Sequence, residues 1–450
     1  MMGKKSLVAL AVFLLTLAGA LSSAGRADAA RSANFHGSYR LEKVVVLSRH
    51  NIRAPLVKNA SVTDTLTPHK WFSWTSAPGE LSLKGGQLET IMGQYFRQWL
   101  VDEKFMTENY VPAEGEMRFY ANSKQRTIAT ARYFSGGMLP IANVTIEHKF
   151  APEGSDPVFS ARLTFMSDAF QAGARAEISR MGGENGLQGL GERLSDTYAL
   201  LEKVLDFKDS PAAKKEGMKH FRTDDIVVTL EKGKQPSVKG SLKLAEMAAD
   251  ALALQYYEEA DAVKAGFGHK LSAREWEQIG DVKDVCADLE FRAPSLAVNE
   301  AHSLLQLMRE ELSLESRKFT FLCGHDANIA GVLAALAVEP YSLPRSVEKK
   351  TPIGAKVVIG KWRGSDGGEY VSLDLVYQST DQLRDRIPLT LENPPMVFPL
   401  HLRGLQGNRD GLYELQEVQQ RFQSAIDAYD HLPQDVPSGA EPEVASERAA

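Results

Sequence analysis

The feature that most constrains the fold of this chain is a short apolar run, residues 44–47, that ends abruptly in positive charge. Arg49, His50 and Arg53 follow the run directly. Three of its four residues are β-branched, which is typical of a strand buried on both faces of a parallel sheet. The charged side chains would then lie at the carboxyl end of the strand, where open α/β sheets bind their ligands. Guanidinium groups give paired hydrogen bonds to phosphate or carboxylate oxygens. The stretch predicts an oxyanion site at the edge of an α/β sheet; the alternative is a basic loop without function.

A second stretch, residues 319–336, repeats this arrangement. A β-rich run ends at Gly324, His325 and Asp326 occupy the turn, and apolar residues at helical spacing follow. Asp326 can be read simply as a helix cap. A His-Asp pair can also bind a metal, but the other histidines show no ligand spacing such as His-x-x-x-His. We therefore expect no metal and no cofactor.

A third strand is predicted at residues 117–122, followed by a helix that Asn122 or Ser123 is expected to cap. This places Arg126 in the first turn of the helix. Free backbone N–H groups at a helix N-terminus favour a bound anion, and a guanidinium adds to that preference. The alternative is a solvated arginine on the surface.

The amino terminus has the pattern of a secretory signal peptide. A basic start is followed by an apolar segment, residues 6–21, that is too short for a comfortable membrane span, and Ala27-Asp28-Ala29 fits a cleavage site. We expect residues 1–29 to be removed on export; the alternative is a single membrane anchor. Removal takes away three basic residues and one acidic residue, which leaves 49 Lys and Arg against 57 Asp and Glu and a net charge of −8. A mildly acidic chain without long basic runs predicts no binding to nucleic acid, and none to a membrane in the mature form.

The chain is longer than one ordinary core, so its 450 residues are expected to form one large or two closely packed units. Residues 30–150 and 300–427 contain the predicted strands. Residues 151–299 are mainly helical in pattern and are interpreted as an insertion. Residues 428–450 are mostly rich in Pro, Ala and Glu, and we expect a disordered tail. The two cysteines, Cys286 and Cys323, allow at most one disulfide, and a buried free thiol is equally compatible with Cys323.

The paired motifs resemble a known family. R-H-N-I-R-A-P at 49–55, with H-D at 325–326, is similar to the hallmark of the histidine acid phosphatases, R-H-G-x-R-x-P with a distal H-D. A-N-S-K-Q-R-T at 121–127, L-Q-Y-Y-E at 254–258 and T-P-I-G at 351–354 look like the bacterial glucose-1-phosphatase branch of that family. Asn51 replaces the glycine of the broad motif. Because Asn tolerates positive φ, we expect the loop to keep its shape.

The resemblance implies a fold and a set of roles. The fold is a mixed central sheet flanked by helices, with a smaller inserted α-helical lid. His50 matches the nucleophile and Asp326 the proton donor, and the phosphate-binding positions match Arg49, Arg53, Arg126 and His325.

The implied activity is that of a periplasmic acid phosphomonoesterase, which hydrolyses small sugar phosphates such as glucose 1-phosphate through a phosphohistidine. The alternatives are a phytase of the same family and, from another class, a phosphosugar-binding protein without turnover. The presence of His50 and Asp326 favours an enzyme, since binding alone requires neither a nucleophile nor an acid.

Overall fold

We analysed a computed structural model of the chain, which describes residues 35–150 and 156–434. The predicted signal peptide and most of the predicted tail lie outside the described residues. The strands are β1 Tyr39–Arg49, β2 Met117–Ala121, β3 Ile146–Glu147, β4 Val227–Thr229, β5 Ser237–Lys239, β6 Phe319–Gly324, β7 Lys356–Gly364, β8 Glu369–Tyr377, β9 Met396–Pro399 and β10 Tyr413–Glu414. The helices are α1 Phe35–Ser38, α2 Val57–Thr63, α3 Leu83–Asp102, α4 Gln125–Met138, α5 Asp168–Met181, α6 Gly186–Arg193, α7 Ser195–Val204, α8 Pro211–Lys215, α9 Ser241–Glu258, α10 Ala262–Ala265, α11 Ala273–Ala287, α12 Pro294–Ser313, α13 Asp326–Ala335, α14 Thr380–Asp385 and α15 Leu415–Asp427.

The central sheet is mixed, as predicted. Its order is β10-β8-β7-β1-β6-β2-β3, and β9 pairs with β8. Strands β1, β6, β2 and β3 are parallel to one another, whereas β7 runs antiparallel to β1 and β8 antiparallel to β7. In β1 the apolar run is fully buried, because helices cover both faces of the sheet. The carboxyl ends of β1, β6 and β2 therefore meet at one edge.

Apolar side chains form a core on each face of the sheet. Helices α3 and α4 cover one face, where Phe134 stacks on Phe321 with ring centroids 4.2 Å apart. Helices α12, α13 and α15 cover the other face. In the described residues no helix is both long and apolar enough to cross a membrane.

The segment between β3 and α12 is mainly helical, and most of its buried apolar side chains form one cluster that also includes residues from outside the segment, such as Ile52 and Leu88. Within it, Tyr256 of α9 stacks on Trp276 of α11 with ring centroids 4.0 Å apart. The hairpin β4–β5 is its only strand pair among the described residues. Helix α12 runs across the predicted boundary at residue 299, and the division into domains stays a prediction.

Two local predictions differ from the structure. Neither Asn122 nor Ser123 caps α4, which begins after Lys124 without a side-chain cap; the Asn122 oxygen instead accepts hydrogen bonds from the backbone N–H groups of Ser123 and Asp156. Asn51 is not among the residues with positive φ, so tolerance of that conformation is not the reason that it fits. Both cysteines are buried and free.

Candidate active site

The three sequence motifs converge at the edge of the sheet where the parallel strands end. Arg49 at the end of β1 pairs in register with Gly324 at the end of β6, and Cys323 pairs with Ala121 at the end of β2. The next residues, His50, His325 and Asn122, therefore leave the sheet side by side. The His50 and His325 rings lie 5.4 Å apart between centroids.

His50 is held in one tautomer. Its Nδ1 lies 2.8 Å from the backbone carbonyl oxygen of Asn51, which can only accept, so Nδ1 carries the proton. The second ring nitrogen, Nε2, is then the one with an available lone pair, and the residue lines the cleft. Burial, and then the positive charge of Arg126 and its neighbours, holds the pKa of His50 well below its ordinary value. A neutral imidazole is what a nucleophile working at acid pH requires.

The tautomer of His325 is also defined by its contacts. The amide nitrogen of Asn122 lies 2.8 Å from His325 Nε2. Because the amide oxygen of Asn122 accepts from two backbone N–H groups, the amide nitrogen must be the donor to His325. His325 therefore presents Nδ1–H as a donor. Burial and then the Arg126 charge lower its pKa to about 3.

Three cations and three carboxylates alternate along the floor of the cleft. Arg49 contacts Asp326 at 3.1 Å and Glu348 at 2.8 Å. Lys283 joins Glu348 to Asp250, with 2.7 Å to each. Asp250 in turn lies 3.0 Å from Arg53. These side chains fix one another in place, and their charges balance; we call them the ionic chain.

Arg126 is not part of the ionic chain, so its charge is not balanced by these carboxylates. In the described part of the chain it has no carboxylate partner; it donates to the carbonyl oxygen of Gly79 at 3.3 Å, and its buried Nε has no hydrogen-bond partner. Burial and then the nearby charge of Arg53 lower its pKa to about 10, so it stays cationic at acid and neutral pH. A buried, uncompensated guanidinium next to two neutral histidines gives the site a net attraction for an anion.

A second buried ion pair supports His50 from below. Asn51 donates to Glu89 at 2.7 Å, and Lys356 lies 3.0 Å from the same carboxylate. Both charged side chains are fully buried. Lys356 also donates to the carbonyl oxygen of Gly354, whose N–H donates to the carbonyl oxygen of His50 at 3.1 Å. Gly354 has a φ of +69°, and a Cβ there would lie 2.5 Å from the Asn51 amide, so only glycine fits.

The assembled groups line a cleft of about 400 Å³. The mainly helical segment between β3 and α12 forms one wall, with residues from α9 and α11, and the turns after β1, β2 and β6 form the floor. A larger groove of about 1280 Å³ lies among residues 195–244 of the same helical segment and contains none of the motif residues. We assign the chemistry to the smaller cleft, because the strand ends and the perturbed pKa values converge there. Among the described residues no group of three or more His, Cys, Asp or Glu is placed to hold a metal ion.

Sequence reasoning identified His50, Asp326, Arg49, Arg53, Arg126 and His325, and the structure brings all six to this cleft or its floor. It missed the ionic-chain members Asp250, Lys283 and Glu348, which come from three distant segments. It also missed the contact of Asn122 with His325, although the position of Asn122 directly after a strand was a usable signal.

Comparison with known proteins agrees with the geometry. Residues 40–181 match the model of the histidine phosphatase superfamily (branch 2). The chain is 34% identical to the glucose-1-phosphatase of Providencia rettgeri over 393 residues, which cover 86% of this chain and 92% of the relative. It is also 34% identical to the glucose-1-phosphatase of Salmonella typhimurium over 416 residues, or 92% of this chain and 97% of the relative.

The chain belongs to the histidine phosphatase superfamily, branch 2. Within that class it is a histidine-type acid phosphatase, a hydrolase of phosphoric monoesters. The fold is also that of a solved Hafnia alvei phytase in complex with myo-inositol hexakis sulphate, at a TM-score of 0.78 and 26% identity, with 88% of this chain and 99% of that one covered.

Proposed function

We propose that this enzyme hydrolyses phosphate monoesters of sugars, glucose 1-phosphate among them, through a phosphohistidine on His50. One observation carries the proposal: the His50 imidazole, neutral and with Nε2 available, lies beside the Arg126 guanidinium, which has no carboxylate partner among the residues that the structure describes. The names of the two glucose-1-phosphatases point to the substrate.

Phosphate binding is the role of the cations. Transfer of a phosphoryl group spreads charge over three oxygens, and fixed donors stabilise that charge without reorganisation. Arg126 and Arg53 line the cleft, Arg49 lies at its floor, and His325 Nδ1–H adds a neutral donor. The ionic chain holds Arg49 and Arg53 in place before substrate arrives.

The chemistry then runs in two steps. His50 Nε2 attacks phosphorus as the bond to the leaving oxygen breaks, and Asp326 gives that oxygen a proton. The Asp326 carboxylate next takes a proton from water, which attacks phosphorus, and the N–P bond breaks to release phosphate and neutral His50.

Asp326 must carry a proton for the first step, and we infer that substrate binding raises its pKa so that it can do so. Burial alone would raise the pKa of Asp326, but Arg49 and then Lys283 lower it to about 2. Its side chain is 44% exposed, so solvent screens part of that effect. A phosphate dianion that binds Arg49 competes for the guanidinium and adds negative charge nearby. Both effects raise the pKa of Asp326 when the acid is needed.

A substrate panel tests the proposal. We expect kcat/KM for glucose 1-phosphate to exceed that for inositol hexakisphosphate. The reverse order would favour the phytase alternative, which has its own support in Lys124 and Arg162, two cations that line the cleft. Binding of glucose 1-phosphate without release of phosphate would favour the binding protein.

The pH profile of kcat/KM should keep its acid limb well below pH 6.5. The pKa of His50 is lowered, so the imidazolium forms only at lower pH and the nucleophile stays neutral in mild acid. A histidine with an ordinary pKa would be about 1% neutral at pH 4.5. The comparison is corrected for the substrate phosphate, whose own pKa is about 6. Arg126→Gln should move the limb to higher pH, because it removes a cation that disfavours imidazolium; a limb near 6.5 in the unmodified enzyme contradicts the assignment.

Treatment with EDTA should leave kcat unchanged. The arginines supply the positive charge that divalent cations supply in other phosphoryl-transfer sites. The assay compares EDTA-dialysed enzyme with the same enzyme after addition of Mg²⁺ or Zn²⁺. A large loss that one of these ions restores would show that a metal takes part.

The amino-terminal pattern supports export of the enzyme to the periplasm. The insertion acts as a lid, since α9 and α11 supply Asp250 and Lys283 to the ionic chain. Mass spectrometry of the mature amino terminus, expected to begin at about residue 30, tests the export step.

A further inference from the structure

The lid wall of the cleft carries a cluster that the proposed chemistry does not use. Glu246 and Lys243 lie on α9, with 2.9 Å between the carboxylate and the ammonium. Glu290 lies just beyond α11 and is 4.0 Å from the same lysine. One oxygen of Glu290 accepts from the backbone N–H of Val238 in the β4–β5 hairpin at 3.0 Å. All three of the charged side chains line the cleft, and we call them the acidic wall.

Helix geometry places Glu246 one turn from the part of α9 that contacts Arg53, a proposed phosphate-binding residue. Asp250, which pairs with Arg53, is four residues further along α9, so Glu246 lies on the same face one turn away, about 6 Å along the axis. Exposure increases in that direction: the side chain of Asp250 is 7% exposed, that of Glu246 18% and that of Lys243 35%. The wall therefore begins where the phosphate site ends and leads toward solvent.

Glu290 reaches the same region from the other lid helix. It is seven residues beyond Lys283 of the ionic chain, in a π-helical turn, Asp288–Arg292. Such turns are rare and often occur at functional sites, because they redirect one side chain. Burial and then the charges of Glu246 and Asp326, against the opposing effect of Lys243, raise the pKa of Glu290 to about 7. Glu290 and Asp326 line the same cleft.

The acidic wall has carboxyl oxygens that can accept further hydrogen bonds, but its one cation, Lys243, is already paired. Glu246 holds Lys243, and in the described contacts the second oxygen of each carboxyl group has no protein partner. Sugar hydroxyls can donate to those oxygens. A second phosphate placed there would have to displace Glu246 from Lys243 and lie against the freed carboxylate, which costs binding energy.

We propose that the acidic wall is the leaving-group subsite, where Glu246 and Glu290 accept hydrogen bonds from the hydroxyls of a sugar and the Glu246 carboxylate excludes leaving groups that carry further phosphates. The inference rests on the proposed function, since it assumes turnover in this cleft. It concerns this wall alone, because Lys124 and Arg162 line the cleft from other segments and have interactions of their own.

Three substrates separate hydrogen bonding to sugar hydroxyls from the exclusion of further phosphates. Cyclohexyl phosphate has neither hydroxyls nor further charge, glucose 1-phosphate adds hydroxyls, and inositol hexakisphosphate adds charge. Each kcat/KM is divided by that for cyclohexyl phosphate, so that changes in the phosphate site cancel. Glu246→Gln removes charge but keeps an acceptor. Glu290→Gln also keeps an acceptor but removes little charge at acid pH, because the raised pKa of Glu290 leaves its carboxyl group largely protonated there. Glu246→Ala and Glu290→Ala remove the acceptor. Glu277→Gln and Glu277→Ala, on α11 but outside the cleft lining, are the matched controls.

Glu246→Gln should raise the inositol hexakisphosphate ratio roughly tenfold, whereas Glu290→Gln should leave that ratio nearly unchanged at acid pH. Both variants should change the glucose 1-phosphate ratio by less than about threefold. The Ala variants should lower the glucose 1-phosphate ratio roughly tenfold, the usual effect of a lost hydrogen bond to a charged group. The Glu277 variants should change neither ratio. An unchanged inositol hexakisphosphate ratio in Glu246→Gln, an unchanged glucose 1-phosphate ratio in the Ala variants, or parallel losses for all three substrates would overturn the subsite. If the unmodified enzyme fails to hydrolyse glucose 1-phosphate, the proposed function fails instead, and the inositol hexakisphosphate ratio still tests the exclusion of charge.

Discussion

Replacement of His50 by alanine is expected to lower kcat/KM by at least roughly 10⁴-fold, as loss of a covalent nucleophile does in other hydrolases. The change should leave the fold intact. Although His50 is buried, its ring borders the polar cleft, and the hydrogen bonds that hold its backbone come from Gly354 and Gly324, which the substitution does not touch. The measurement is kcat/KM for glucose 1-phosphate and for nitrophenyl phosphate, with the melting temperature as a check on folding.

His401→Ala is the matched control, because the His401 side chain is exposed and lies outside the cleft lining. It should retain full activity. A folded His50→Ala enzyme with activity near that of the unmodified protein would remove His50 from the nucleophile position.

Asp326→Asn should slow glucose 1-phosphate by roughly 100-fold or more, the range for loss of a general acid. Nitrophenyl phosphate should be affected much less, as long as the first step limits the rate. Nitrophenolate leaves without a proton at mildly acid pH, whereas a sugar alkoxide does not. Asparagine keeps the shape of Asp326 and a hydrogen-bond acceptor for Arg49, so the variant tests proton transfer more than packing.

The comparison is made on kcat/KM, which reports transition-state stabilisation relative to free enzyme and substrate. Equal losses for both substrates would mean that Asp326 orients Arg49 and does not donate the proton. Glu290 would then be the next residue to test, because it lines the cleft and its pKa is about 7.

The catalytic floor could be predicted from the sequence because it is built from strand ends. An apolar run that stops at a charged residue marks the carboxyl edge of a sheet, and β1, β2 and β6 are parallel neighbours whose ends must meet there. His50, Arg126 and Asp326 each follow one of these strands directly or within a few residues. The strand predicted at residues 117–122 matches β2 to within one residue and the β-rich run that ends at Gly324 matches β6, since their patterns are local, whereas β1 begins five residues before the predicted apolar run.

The ionic chain could not be predicted, because its members have no local signature. Asp250 and Lys283 look like ordinary charged positions on two helices, and Glu348 lies in a loop before β7. They meet only when the lid packs on the sheet, and pairing at that range depends on tertiary structure. Their burial is informative afterwards, since isolated buried charges are too costly to persist without partners.

The role of Asn51 could not be predicted from the sequence either. The sequence marks it as a departure from the family motif, but its role depends on Glu89 and Lys356, which come from α3 and β7. Its amide is held by Glu89 while its carbonyl fixes the tautomer of His50. The hydrogen bond to Glu89, and not tolerance of a positive φ, explains why asparagine fits at position 51.

The measurement that tests the account most directly is chemical trapping of the covalent intermediate. Enzyme turning over nitrophenyl phosphate is quenched in alkali, where a phosphoramidate on histidine survives, and its peptides are analysed by mass spectrometry. We predict one phosphate per trapped chain, carried by the peptide that contains His50 and absent from His50→Ala. Phosphate on His325 or another residue, or a complete absence of phosphoenzyme in an enzyme that turns over, would contradict the mechanism.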